Sequence, residues 1–200
     1  MVATKQHTYY CFDVLLAHLE KKPVPEPEFT DAEYPLFVTW NTGRGHREHL
    51  RGCIGNFNPL PLKYGLKKYA LISALQDRRF EPISLYEVPR LTVGVSLLTD
   101  FERVDDCMDW TIGKHGIWIE FLLDGRKTTA TYLPEVIPDQ GWNKREALES
   151  LLHKGGARTI TDALFSTIRL TRYQSSKAYC THEEYIEYAR HRPAPRVEYK

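Results

Sequence analysis

Leu50-Arg51-Gly52-Cys53-Ile54-Gly55 places a thiol and a guanidinium among two glycines within one short stretch. Glycine has no Cβ, so Gly52 and Gly55 let the main chain on either side of Cys53 approach another group closely and offer its amides. The chemistry this suits is nucleophilic attack or ligand contact by sulfur, for which the thiolate is the reactive form. Arg51 shares a strand face with Cys53 and would favour that thiolate. Alternatively, Arg51 pairs with a carboxylate and leaves the sulfur unperturbed. The amides from Gly52 to Gly55 suit an oxyanion or a phosphate. The competing reading is a small buried cysteine packed into a tight glycine-rich strand, which is common for this residue type.

A cysteine nucleophile needs a base and a group to orient it. His46 and His49 are near in sequence, and His115 lies between Gly113 and Gly116 in an expected loop. Asp77, Glu120 and Glu135 are the carboxylates that could orient a histidine. His46-x-x-His49 has the look of a metal pair, but no third ligand follows at a fixed spacing, so no metal is expected. Asp77-Arg78-Arg79-Phe80 closes a helix, where arginines either answer the negative end of the helix dipole or fork onto a carboxylate or phosphate. In Leu133-Pro134-Glu135-Val136, Glu135 is a candidate general base or hydrogen-bond acceptor. Trp142, after Gly141, reads as a packing anchor. The candidate catalytic residues are therefore Cys53, His115 and Glu135; the candidate binding residues are Arg51, Gly52, Gly55, Asp77 and Arg79.

These residues must be positioned by ordinary elements. Cys11, Val14, Leu15 and Leu19 recur at helical spacing and predict a helix over residues 8–21. The proline-rich run Lys22-Pro23-Val24-Pro25-Glu26-Pro27 cannot continue it and is expected to be extended. Strands are predicted at 36–40 and 50–57, joined through the turn Thr42-Gly43-Arg44-Gly45, and a helix follows over 61–78. Leu91, Val93, Val95 and Leu97 alternate with small polar residues, the pattern of a half-buried strand. Asp124-Gly125 predicts a hairpin between strands at 116–123 and 126–133. Asn143 with Glu146, and Thr181 with Glu184, read as capping boxes opening helices. Residues 168–179 have β character. The hairpin and short connections favour antiparallel pairing and an α+β fold.

The chain has 200 residues, 42% hydrophobic and 26% charged, with a net charge of +1, which describes a globular protein without a global pull toward nucleic acid or anionic lipid. Basic residues with interleaved tyrosines crowd the C-terminal third, yet acidic residues share the same last helix, so nucleic acid is not the favoured partner. No apolar run reaches the ~20 residues of a membrane span, and no membrane association is expected. Cys11, Cys53, Cys107 and Cys180 are widely spaced and read as thiols of a reducing compartment, cytoplasmic or nuclear. No phosphate-loop or dinucleotide fingerprint appears, and no cofactor is expected.

The hexapeptide resembles the signature of the AMMECR1 family. Asp77-Arg78-Arg79-Phe80, Val95-Ser96-Leu97-Leu98, Gly113-Lys114-His115-Gly116, Leu133-Pro134-Glu135-Val136, Gly141-Trp142, Leu152-His153-Lys154-Gly155-Gly156 and Leu170-Thr171-Arg172-Tyr173 resemble that family's other blocks, in its order. The likeness spans roughly residues 8 to 190 and is greatest to eukaryotic members, many of which carry Thr where this chain has Asn56. It implies a single domain over 8–190 with an α+β fold of two unequal lobes. The larger lobe would hold both termini, the smaller would come from the central segment, and 191–200 would be a mobile tail. It implies no settled reaction; prokaryotic relatives occur with Memo-like and radical-SAM proteins. Two readings follow. One is a ligand-binding or catalytic cleft centred on Leu50–Gly55, acting on a small molecule. The other is a non-enzymatic adaptor that seats a protein or nucleic acid in the same cleft.

Overall fold

The computed structural model describes residues 2–43 and 48–192. Arg44 and Gly45 of the expected turn, His46, and the tail from residue 193 lie outside the described residues. The chain divides into two compact units, one formed by residues up to Leu97 together with those from Ser176 onward, the other by Leu98–Ser175.

The first unit opens with helix α1, Lys5–Leu19. Its first turn is closed from an unexpected side chain: the Thr4 amide donates to His7 Nδ1 at 3.0 Å, so His7 performs the role that glutamate usually takes in a capping box. Strands β1 (Glu33–Thr42) and β2 (His49–Pro61) follow, then helix α2 (Leu62–Leu75) and strand β3 (Leu91–Val104). The strand order here is β2-β1-β3-β6, β6 being Arg169–Thr181, and β1 pairs antiparallel with both β2 and β3. Alternation decides the two faces. Leu36, Val38, Trp40, Val93, Val95 and Leu97 point to one side and bury against Leu15 of α1, Leu66 and Ala70 of α2, and Tyr185. The Trp40 indole donates to the Ala70 carbonyl at 3.0 Å, so its polar edge is satisfied in the core. Tyr185 belongs to helix α6, His182–His191, which Thr181 and Glu184 cap as expected.

In the second unit the order is β3-β6-β4-β5, with β4 spanning Gly116–Leu123 and β5 Arg126–Tyr132. Asp124 and Gly125 both have positive φ, 50° and 73°, the two-residue turn that matches strand twist. Helices α3 (Val136–Gln140), α4 (Lys144–Lys154) and α5 (Asp162–Phe165) complete it. Asn143 accepts from the Glu146 amide at 3.0 Å, and Glu146 accepts from the Asn143 amide at 2.8 Å. Ile117, Ile119 and Phe121 bury against Ala147, Leu148, Leu151 and Leu152 of α4. Each unit thus has its own apolar cluster. The α+β class and its antiparallel pairing are as expected.

Several elements differ from the sequence reading. The helix after β2 stops at Leu75, so Asp77-Arg78-Arg79 lies beyond its last turn. Helices α3 and α5 were not expected; at five and four residues, they are too short to show a 3.6-residue apolar period.

Candidate functional site

Cys53 lies on β2 opposite Thr39 of β1. Its amide donates to Asp77 Oδ2 at 2.9 Å, and its carbonyl accepts from Arg79 Nη2 at 3.2 Å. Both main-chain groups therefore point away from β1, which makes Thr39–Cys53 a non-hydrogen-bonded pair, the kind in which facing side chains stand closest. Thr39 Oγ1 accordingly donates to the sulfur at 3.1 Å. Cys53 as a residue is partly buried.

The clamp on the Cys53 backbone is a single ion pair. Arg79 Nε donates to Asp77 Oδ1 at 2.9 Å and Arg79 Nη2 to Oδ2 at 2.7 Å, a bidentate fork. The Asp77 side chain is only 6% exposed while that of Arg79 is 58% exposed. Asp77 is held far below the usual carboxylate range, first by Arg79 and then by the Cys53 and Arg79 amides, against the opposing effect of burial. Arg79 is raised, chiefly by its hydrogen bond to Asp77, with a smaller contribution from Cys53. β2 is the outer strand of its sheet, and the pair covers at Cys53 the backbone groups that an edge leaves open.

Arg51 is engaged elsewhere. Its Nε donates to Glu87 Oε1 at 2.8 Å, its Nη2 to Glu87 Oε2 at 3.3 Å, and its Nη1 to the Glu81 carbonyl at 2.6 Å. Burial would raise the Glu87 pKa, but the hydrogen bonds from Arg51 and Ser84 outweigh it and hold the carboxyl low. Of the two roles considered for Arg51, pairing with a carboxylate is the one the geometry contains. The glycines are likewise used internally. A Cβ on Gly52 would run into the Ser73 carbonyl of α2, and one on Gly55 into the Phe37 ring and the Leu36 carbonyl. The close approach that glycine allows is made here by the protein's own helix and ring.

His115 and Glu135 belong to the second unit. His115 is 6% exposed, and its Nδ1 accepts the Thr111 amide at 2.9 Å, which leaves the neutral ring's proton on Nε2. Burial lowers its pKa first, with Lys114 and Arg172 adding to the effect. Glu135 precedes α3 as its N-cap residue, and one of its carboxylate oxygens is buried. Glu120 pairs with Lys127. The residues that the structure assembles around Cys53 are thus Thr39, Asp77 and Arg79, with Arg51 paired alongside on the same strand. No disulfide joins the cysteines. Among the described residues no group of His, Cys, Asp and Glu side chains is arranged to hold a metal ion, and no helix is long and apolar enough to cross a membrane.

The AMMECR1 family profile matches residues 8–178. The chain belongs to the AMMECR1 family. An uncharacterised protein of Arabidopsis thaliana is 46% identical over 192 residues, covering 94% of this chain and 90% of the relative. One of Schizosaccharomyces pombe is 42% identical over 185 residues, with coverage of 91% and 95%. The crystal structure of an uncharacterised protein from Pyrococcus horikoshii superposes with a TM-score of 0.69 at 25% identity, covering 89% of this chain and 93% of that one. These relatives carry no assigned activity in their names.

Thr39 and Glu87 are participants that the AMMECR1 resemblance and the spacing of residues did not single out. Thr39 had a weak signal: it is the polar residue between Val38 and Trp40 in a strand whose alternate positions are apolar. Glu87 had none, because it lies 36 residues from Arg51.

Proposed function

We propose that this AMMECR1-family chain is a ligand-binding protein, with capacity for thiol chemistry, whose site is centred on Cys53 of the Leu50–Gly55 motif. The observation that supports it is the clamp on that residue. Asp77 and Arg79 hold the amide and carbonyl of Cys53 while Thr39 hydrogen-bonds its sulfur. A merely space-filling cysteine needs none of these, whereas a thiol that must be presented in one orientation needs all three. The Thr39 hydroxyl and the adjacent guanidinium both favour negative charge on sulfur. Cys53 is the contacting or reacting thiol in this reading, Arg79 offers its exposed side to an anionic group on the ligand, and Asp77 is a positioning residue. In the same reading residues 8–190 form one domain, and His115 and Glu135 are acid–base candidates within the second unit.

The non-enzymatic adaptor is the second reading. Exposed Leu50, Leu85 and Tyr86 favour it, at 39%, 47% and 78% accessibility, since large exposed apolar side chains are what a protein partner would cover.

The test is alkylation of the folded protein with iodoacetamide, followed by peptide mapping. Cys53 is expected to be modified well ahead of the buried Cys11 and Cys180, and Arg79→Gln to slow that modification severalfold. Equal slowness of Cys53 and Cys11 would remove the thiol from any functional role. Rapid modification indifferent to Arg79 would leave the adaptor reading in place.

A further inference from the structure

A hollow of about 410 Å³ lies in the second unit, away from Cys53 in sequence and lined by Glu120, Leu122, Lys127, Ser166, Thr167 and Arg169. Its origin is a mismatch in strand length. β4 pairs with β5 from Ile117 to its end, through Leu122↔Lys127 and Leu123↔Arg126. On its other side the pairing with β6 stops at Glu120↔Arg169. Beyond Glu120 no strand lies on that side of β4 among the described residues. The Leu122 amide turns instead to Thr167 Oγ1 at 3.2 Å.

Register also sets what faces outward. Ile117, Ile119 and Phe121 point to the core, so Glu120 and Leu122 point the opposite way, with Arg169 beside the first and Lys127 beside the second. Leu122 is 53% exposed. Lys127 pairs with Glu120. Arg169 makes no ion pair among the described residues. The face therefore joins an uncovered apolar side chain to two cations and one carboxylate, an excess of one positive charge. Its size falls within the range of small-ligand pockets, which combine apolar walls with a few convergent polar groups.

We propose that this face is a ligand site for a small molecule with an apolar body and a carboxylate, the carboxylate on Arg169 and the body along Leu122. Arginine matches a carboxylate through two parallel N–H donors, and Ser166 and Thr167 stand at the wall of the same hollow. The proposal is independent of any role for Cys53.

Decanoate and decanol separate the two components of recognition, because they share a chain length and differ in charge. Titrated into the ¹⁵N-labelled protein, decanoate shifts amides from Glu120 to Lys127 and from Ser166 to Arg169. Arg169→Gln, on an exposed side chain, weakens decanoate about tenfold, the effect of one charge-assisted contact, and leaves decanol binding unchanged. Absence of shifts in those two segments overturns the proposal. So does decanoate affinity that is indifferent to Arg169, or decanol binding as tightly as decanoate.

Discussion

Asp77 carries more of the Cys53 environment than the cysteine does. It receives the Cys53 amide and both forks of Arg79 while being almost wholly buried. Asp77→Asn keeps the shape, removes the charge and turns an amide group toward a guanidinium. Losing charge-assisted hydrogen bonds of this kind costs about 2 kcal/mol. The cost stays below that of stranding a fully buried ion, since water screens the exposed Arg79. Urea denaturation is the measurement, and Cys53 alkylation in the same variant is expected to accelerate as its backbone loosens. The acid limb follows from the sign of the shift. The folded carboxyl lies below its unfolded value, so its stabilisation is complete above about pH 4 and is lost as pH falls further. The wild type should therefore lose stability in that window more steeply than Asp77→Asn.

Elements that follow a period were readable in the chain, and those held by single side chains were not. Alternation at Leu91, Val93, Val95 and Leu97 announced β3, and Asp124-Gly125 announced the β4–β5 hairpin. The capping boxes at Asn143 and Thr181 used the expected glutamates. α1 begins three residues before the apolar spacing predicts, with His7 rather than Glu at its third helical position. The end of α2 was read late because Asp77 and Arg79, which resemble a helical C-terminus, turn back to β2 instead. Two predictions belong here. Gly52→Ala places a methyl against the Ser73 carbonyl of α2, and overpacking against backbone should cost about 3 kcal/mol, seen as a lowered urea midpoint. A midpoint unchanged by the methyl would mean that α2 does not rest on β2 at Gly52. At α1, His7 is 4% exposed and its pKa is lowered by burial. Its neutral form is thus the folded form, and its stabilisation is present above about pH 6.5 and lost as pH falls through the folded value. Protonation also removes the lone pair that accepts the Thr4 amide. His7→Gln supplies an acceptor at every pH, so its melting temperature should fall less than the wild type's between about pH 6.5 and 5.

The path of the whole chain was the least readable feature, because no periodicity marks where a strand passes from one compact unit to another. The division falls after Leu97 in β3 and before Ser176 in β6, inside elements whose local pattern is unbroken. The AMMECR1 resemblance implied two unequal parts and could not say which strands bridge them. The two apolar clusters have a testable consequence. Leu151 is fully buried among Ile117, Phe121 and Leu148 in the second unit, while Cys53 lies on β2 of the first unit, whose core holds Leu36, Trp40 and Leu66. Leu151→Ala removes buried methyls and leaves a void, at a cost of about 3 kcal/mol. If each cluster supports its own unit, hydrogen exchange should accelerate at amides of β4 and α4 while those of α1 and β1 keep their protection and Cys53 alkylates at the wild-type rate. Equal acceleration throughout would show that the clusters unfold as one cooperative body, and the clamp around Cys53 would then depend on packing in the other unit.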